Sequence, residues 1–147
     1  MADLVFRSAK KEDFPAIRAL IHAVGINPTG LDWRRFLIAV TGTGELAGCA
    51  QIKPHADGSR ELASLAVREQ DRDQGVARAL IERLLKGQPR PVYLMCRARL
   101  GSFYNRFGFR SLAENEMTTY FQRINRLAHL FFHNGASEDG LLVMRLD

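Results

Sequence analysis

Three observations predict a mixed α/β fold in one domain covering residues 1–147. Apolar residues recur at helical spacing in several segments, shorter apolar runs read as strands, and the two kinds interleave along the chain. In addition, the turns TGTG and PHADGS join three of the apolar runs directly, so those strands are expected to lie antiparallel.

In chain order, residues 4–9, LVFRSA, predict a first strand. In EDFPAIRALIHAVG, Ile17, Leu20, Ile21 and Val24 share a helical face, with acids and Pro15 at the start and Gly25 at the exit. The Asn-Pro and Thr-Gly pairs of INPTGLDW predict a loop. RRFLIAV, ELAGCAQIK and RELASLAV are the three linked strands. From Gly75 the period lengthens again. Val76, Ala79, Leu80 and Leu84 line one face, Arg78, Glu82 and Lys86 the other, and Gly87 closes the helix. PVYLMCR predicts a buried strand, LGSFYNRFG a short helix ended by Gly108, and FRSL another strand. MTTYFQRINRLAHLFF puts Tyr120, Ile124, Leu127 and Phe131 on one helical stripe, HNGASEDG turns the chain, and LLVMRL is a last strand.

A composition of 46% hydrophobic and 25% charged residues is that of a globular chain, not a disordered one. The net charge of +5 favours anionic partners, whether nucleic acid, an acidic surface or a phosphorylated cofactor. Cys49 and Cys96 lie far apart in apolar segments, which points to a reducing compartment and no disulfide framework. No apolar run approaches the ~18 residues of a membrane span, and MADLVFRSAKKEDF is too charged for a signal peptide. A cytoplasmic location without a membrane partner is the expectation.

The stretch RDQGVARAL carries the chemistry. A helix start offers unpaired N–H groups and the positive end of the helix dipole, and Gly75 removes the Cβ that would hold a phosphate away. Arg72 and Arg78 add charge, so the segment reads as a pyrophosphate cradle. It has neither the Lys-Ser/Thr pair of a P-loop nor three dinucleotide-type glycines. Taken locally, a tight turn with solvated arginines fits equally well.

The wider pattern separates these readings. R-x-x-G-x-A after ELASLAV resembles the acyl-CoA motif of the GNAT superfamily of N-acetyltransferases. PVYLMCR followed by FYNRFGF is similar to that superfamily's later strand and Tyr-x-x-x-Gly-Phe signature, here Tyr104, Gly108 and Phe109. FRSAKKEDFPAIRALI resembles its first strand and helix. The resemblance implies a largely antiparallel central sheet of about six to seven strands flanked by helices. Against it, the sequence sets an extra helix between the last two strands.

It also implies acetyl-CoA as cosubstrate, no metal, and direct transfer to a primary amine of a small-molecule or peptide acceptor. Arg72, Asp73, Gln74, Gly75, Val76, Ala77 and Arg78 would hold the coenzyme A pyrophosphate. Leu65, Ala66 and Val67 would lie along the pantetheine arm like an added strand. Tyr104 would be the acid near the sulfur, or else a core aromatic beside Phe103, Phe107 and Phe109. Glu61 would be the base, on the face of Ala63 and Leu65 by period-two alternation, or else an acid paired with Arg60 or Lys53. Arg97 stands where many members carry Asn and is assigned to the cofactor.

Trp33 and Tyr120 are the candidate acceptor contacts, from the early loop and from a 115–134 segment that would cover the acceptor. Cys96, His55, and the pair His129 and His133 are read as structural. A homodimer is common in the family. Nucleic acid is not expected as a partner, because no interleaved aromatic-basic motif accompanies the positive charge. Two readings stand beside the enzyme: an acyl-CoA-binding module without turnover, and a basic nucleic-acid binder.

Overall fold

The computed structural model describes residues 3–132 and 140–147. Seven strands form a mixed, mostly antiparallel sheet in the order β1-β2-β3-β4-β5-β7-β6. They are β1 Leu4–Ser8, β2 Phe36–Thr41, β3 Leu46–Pro54, β4 Arg60–Val67, β5 Val92–Arg97, β6 Arg110–Ser111 and β7 Leu141–Leu146. Among the described residues, four α-helices accompany them: α1 Phe14–Val24, α2 Val76–Leu85, α3 Gly101–Asn105 and α4 Thr119–Phe132. The mixed class, the antiparallel bias and the helix before the last strand are as the sequence indicates. The expected turn HNGASEDG, with His133, lies outside the described residues apart from Gly140.

The chain divides into two compact units. The first joins Met1–Lys53 to Leu62–Gln88. Here β1 and β2 pair antiparallel from Leu4 opposite Thr41 to Ser8 opposite Leu37, and β2 pairs antiparallel with β3. Ile17 and Ile21 of α1 are fully buried with Phe36, Ile38, Cys49 and Ala66. Val76 and Leu80 of α2 bury against Ala39, Ala47 and Ala50. The small residues are needed there. A Cβ at Gly48 would stand 3.0 Å from Val76 Cγ1 and 3.2 Å from Leu80 Cδ1, so both side chains would have to give by a few tenths of an ångström.

One local rule fails in β4. Ser64 has φ +59°, which interrupts the two-residue alternation between Glu61 and Leu65. Leu65 and Val67 accordingly join the α2 cluster while Ala66 joins that of α1.

The second unit joins Pro54–Glu61 to Pro89–Asp147, so the first two residues of β4 belong to it. Glu61 pairs in parallel with Tyr93 of β5. β5 pairs antiparallel with β7 from Val92 opposite Leu146 to Arg97 opposite Leu141, and β6 pairs with the other edge of β7. Its core gathers Tyr93, Phe121 and Val143, with the Tyr93 and Phe121 rings stacked at 5.0 Å. The buried line of α4 is therefore not the expected stripe. Phe121 and Asn125 face inward, whereas Leu127 is 50% exposed. The polar Asn125 at an inner position hides the true phase of the helix.

The start of α4 is tied to a distant turn. Asp57 Oδ2 accepts the Tyr120 backbone N–H at 3.0 Å, while Oδ1 accepts from Ser59 N and Oγ at 2.9 and 2.6 Å. Burial works to raise the Asp57 carboxyl, but these bonds outweigh it and hold it below the usual carboxylate range. Asp57→Ala is expected to cost about 0.5–2 kcal/mol of stability, the range for a lost helix cap. Because the folded carboxyl is depressed, its contribution is complete above pH ~4 and fades as the pH falls through the folded value. Melting curves of both proteins from pH 7 downward should converge in acid; a difference that persists unchanged there would contradict the assignment.

Candidate functional site

In the first unit, the turn before α2 is built to stay open. Arg68 Nε bonds the buried Asp71 carboxylate at 2.6 Å and the Arg68 N–H donates to Ala47 O at 2.7 Å, which fixes the approach. Asp73 then takes φ +62° and Gly75 φ +80°, two left-handed residues that swing the chain into the helix. Gly75 is the N-cap of α2, and no side chain caps the helix there. The first turn of such a helix has N–H groups without intrahelical carbonyl partners. A Cβ at Gly75 would meet no heavy atom within 4 Å, so protein packing does not require the glycine. Its conformation does, since a left-handed residue with a side chain costs about 1–2 kcal/mol.

The flanking side chains are exposed. Arg72 Nε lies 3.5 Å from Val67 O, and Gln74 Nε2 lies 3.4 Å from Gln70 O. Arg78 Nε is 3.7 Å from Glu82 Oε1. Exposed pairs of that kind contribute at most about 1 kcal/mol, so an incoming phosphate competes well for Arg78. Val76 is buried beneath the helix and Ala77 half-buried. Within β4, Ala66 is buried, and Leu65 and Val67 are half-buried.

Trp33 opens a 3₁₀ turn, Trp33–Arg35, capped by Asp32, whose Oδ1 accepts the Arg34 N–H at 3.0 Å. The Arg34 guanidinium lies 5.0 Å from the indole centroid. Trp33, Arg34 and Arg35 border a cavity of about 420 Å³ together with Phe14, Leu31 and Asp32.

In the second unit, Tyr104 of α3 meets Phe103 and Phe109 edge-on, at 5.0 and 6.3 Å between centroids. Burial, with the nearby Cys96 thiol as a smaller cause, pushes its phenol up to about 12. Burial also pushes the Cys96 thiol up to about 11, which leaves it protonated and poorly nucleophilic near neutral pH. Arg97 is exposed at the end of β5 and caps a 3₁₀ turn.

Glu61 is buried and bonded to His55, whose Nε2 lies 2.7 Å from Glu61 Oε1. Tyr120 stacks on the His55 ring at 3.6 Å. Tyr120's own phenol is raised by burial first, then by the charges of Glu61 and Asp57. The second unit thus joins two sequence candidates, Glu61 and Tyr120, through one residue that had been read as structural. The hairpin KPHADGSRE contained the signal: folding back at Asp57-Gly58 returns residue 61 to the end of the hairpin that holds residue 55. His129 is exposed on α4, and no group of three metal-binding side chains occurs among the described residues.

An acetyltransferase (GNAT) domain model matches residues 32–111, more than half of the chain. The chain belongs to the GNAT acetyltransferase family. Its fold is that of GNAT acetyltransferase domains, and among the described residues no helix is long and apolar enough to cross a membrane. No curated protein matches this GNAT chain.

Solved structures do. N-acetylglutamate synthase from Neisseria gonorrhoeae, complexed with coenzyme A and N-acetyl-glutamate, matches with TM-score 0.72 and 23% identity. That match covers 100% of this chain but 36% of the synthase, so the GNAT chain spans about a third of that relative. Rv2747 from Mycobacterium tuberculosis, in complex with CoA and NLQ, matches with TM-score 0.71 and 22% identity over 97% of this chain and 98% of that one. An acyl-CoA N-acyltransferase from Pseudomonas aeruginosa matches with TM-score 0.69 and 18% identity over the full length of both. At these identities the shared property is the fold.

Proposed function

We propose that the protein transfers an acetyl group from acetyl-CoA to a primary amine of a small-molecule or peptide acceptor, directly and within one ternary complex. The observation that carries this reading is the open left-handed glycine at the start of α2, uncapped and flanked by Arg72 and Arg78. Those features fit a diphosphate. Amides at the helix start supply directed donors, the helix dipole favours negative charge, and the two guanidiniums complete the neutralisation. Backbone from Asp73 to Ala77 would bind the pyrophosphate, Leu65, Ala66 and Val67 would flank the pantetheine arm, and Arg97 would add an anion contact.

The bound thioester supplies an activated acyl group; the protein's own residues handle protons. An alkylammonium of pKa about 10 cannot attack while protonated, so Glu61 is assigned the task of accepting its proton. Tyr104 is assigned to the departing sulfur. A phenol near 12 is too weak an acid to protonate an ordinary thiolate of about 8.5 outright, since the gap corresponds to about 5 kcal/mol. A hydrogen bond from Tyr104 that strengthens as charge develops on sulfur avoids this cost. Trp33, beside its cavity, and Tyr120 are assigned to the acceptor.

The test is coenzyme A release from acetyl-CoA in the presence of small amines, amino acids and peptides. L-glutamate comes first, because the gonococcal relative is complexed with N-acetyl-glutamate. The expected result is release that is matched by acetylated amine for at least one acceptor. Binding of acetyl-CoA without release for any of them would contradict the transferase reading and leave a binding module.

A further inference from the structure

His55 and Glu61 are hydrogen-bonded to each other in a largely enclosed place. Their side chains are 10% and 6% exposed, and the His55 Nε2 to Glu61 Oε1 distance is 2.7 Å. Tyr120 covers the imidazole face, with centroids 3.6 Å apart and planes at 16°. Phe121 meets the ring edge-on at 5.6 Å. The backbone under the imidazole is closed as well: His55 N–H donates to Ser59 O at 2.9 Å, and Gly58 N–H donates to His55 O at 3.0 Å. Asp57 extends the frame by accepting the Tyr120 N–H.

An apolar ring would fill the same slot without the desolvation that a buried imidazole and carboxylate both suffer. What the imidazole adds is one directed donor, aimed at one carboxylate oxygen. Among the described residues, the ionisable groups linked to it include Glu61 from β4, Tyr120 from α4 and, through the Tyr120 backbone N–H, Asp57 from the turn.

We infer that His55 is a positioning residue for Glu61, holding one carboxylate oxygen so that the carboxylate is ionised and oriented when it receives the acceptor's proton. This rests on the reading of Glu61 as proton acceptor. In this reading His55 Nε2 carries a proton and donates it to Oε1 as a hydrogen bond. An ammonium N–H bond breaks, its electron pair stays on nitrogen, and an O–H bond forms on the Glu61 carboxylate. Tyr120 acts on the same pair by fixing the plane of the imidazole.

The test compares His55→Phe, His55→Gln and Glu61→Gln, using acetyl-CoA and the fastest amine found in the acceptor screen. Phenylalanine preserves the stack on Tyr120 without a donor; glutamine restores an amide donor. His55→Phe is expected to lower kcat/KM about 10- to 100-fold, as loss of a hydrogen bond to a charged group implies. It should also move the acidic limb of the pH profile upward, because a donor favours the ionised carboxylate. His55→Gln should recover most of the rate. In a Glu61→Gln background, His55→Phe should add no further loss.

If His55→Phe keeps the wild-type rate and pH profile while Glu61→Gln is inactive, the inference about His55 falls alone. If Glu61→Gln keeps the wild-type rate, the proton-acceptor reading falls and takes this one with it. Should the variants fail to fold, nitrogen NMR of wild-type His55 decides. A proton on Nε2 is expected, and an imidazole with its proton on Nδ1 and none on Nε2 would overturn the inference.

Discussion

Tyr104→Phe is expected to slow acetyl transfer by about 10²- to 10³-fold, the range for loss of one positioned hydrogen-bond donor to charge that develops in the transition state. Coenzyme A affinity should change little. The substitution removes one oxygen and keeps the ring, so the edge-on contacts with Phe103 and Phe109 remain and the fold should survive. The phenol's raised value also makes a prediction about pH. With Tyr104 held near 12, the hydroxyl stays protonated throughout an ordinary assay range, so it should impose no alkaline decline below about pH 11. A hydrogen-bond role predicts that kcat and kcat/KM fall together, since the interaction grows only as charge leaves for the sulfur. Turnover equal to wild type would remove Tyr104 from the chemistry, whatever else the protein does.

Gly75→Glu should abolish stabilisation by acetyl-CoA. The wild-type protein is expected to gain ~2.7 kcal/mol at a hundredfold excess of ligand over its dissociation constant, visible as a raised melting temperature. The variant places a carboxylate where the cradle should receive phosphate. It also forces a side chain into φ +80°, at about 1–2 kcal/mol, so its own melting temperature will drop. The quantity to read is therefore the ligand-induced shift. Gly75→Asn provides the control, because asparagine tolerates the left-handed region and brings no charge. It should retain part of the shift. A full shift in Gly75→Glu would mean that acetyl-CoA, if bound, is held elsewhere.

The glycine at the start of α2 is legible in the sequence because its signal is local: loop residues, one glycine, then a helical period. The same holds for β4, whose observed span Arg60–Val67 is the sequence run RELASLAV. Residues that act through distant partners were not legible in this way. Tyr120 is 63 positions from Asp57, which accepts its backbone N–H, and nothing near either residue announces the other. The inward line of α4 was mistaken because Asn125 interrupts the apolar repeat while the exposed Leu127 extends a false one. Strict alternation in β4 failed at Ser64, whose φ of +59° no serine in a strand-like run would suggest. His55 was passed over because a lone histidine in a turn is ordinarily solvated; its partner became visible when the hairpin closed.

The most direct measurement is an amide-resolved NMR titration of the wild-type protein with coenzyme A. We expect saturable binding in which the backbone N–H signals of Gln74 through Arg78 move more than those elsewhere in the chain. Coenzyme A that leaves those signals in place, or that does not bind at all, would contradict the cradle at the start of α2.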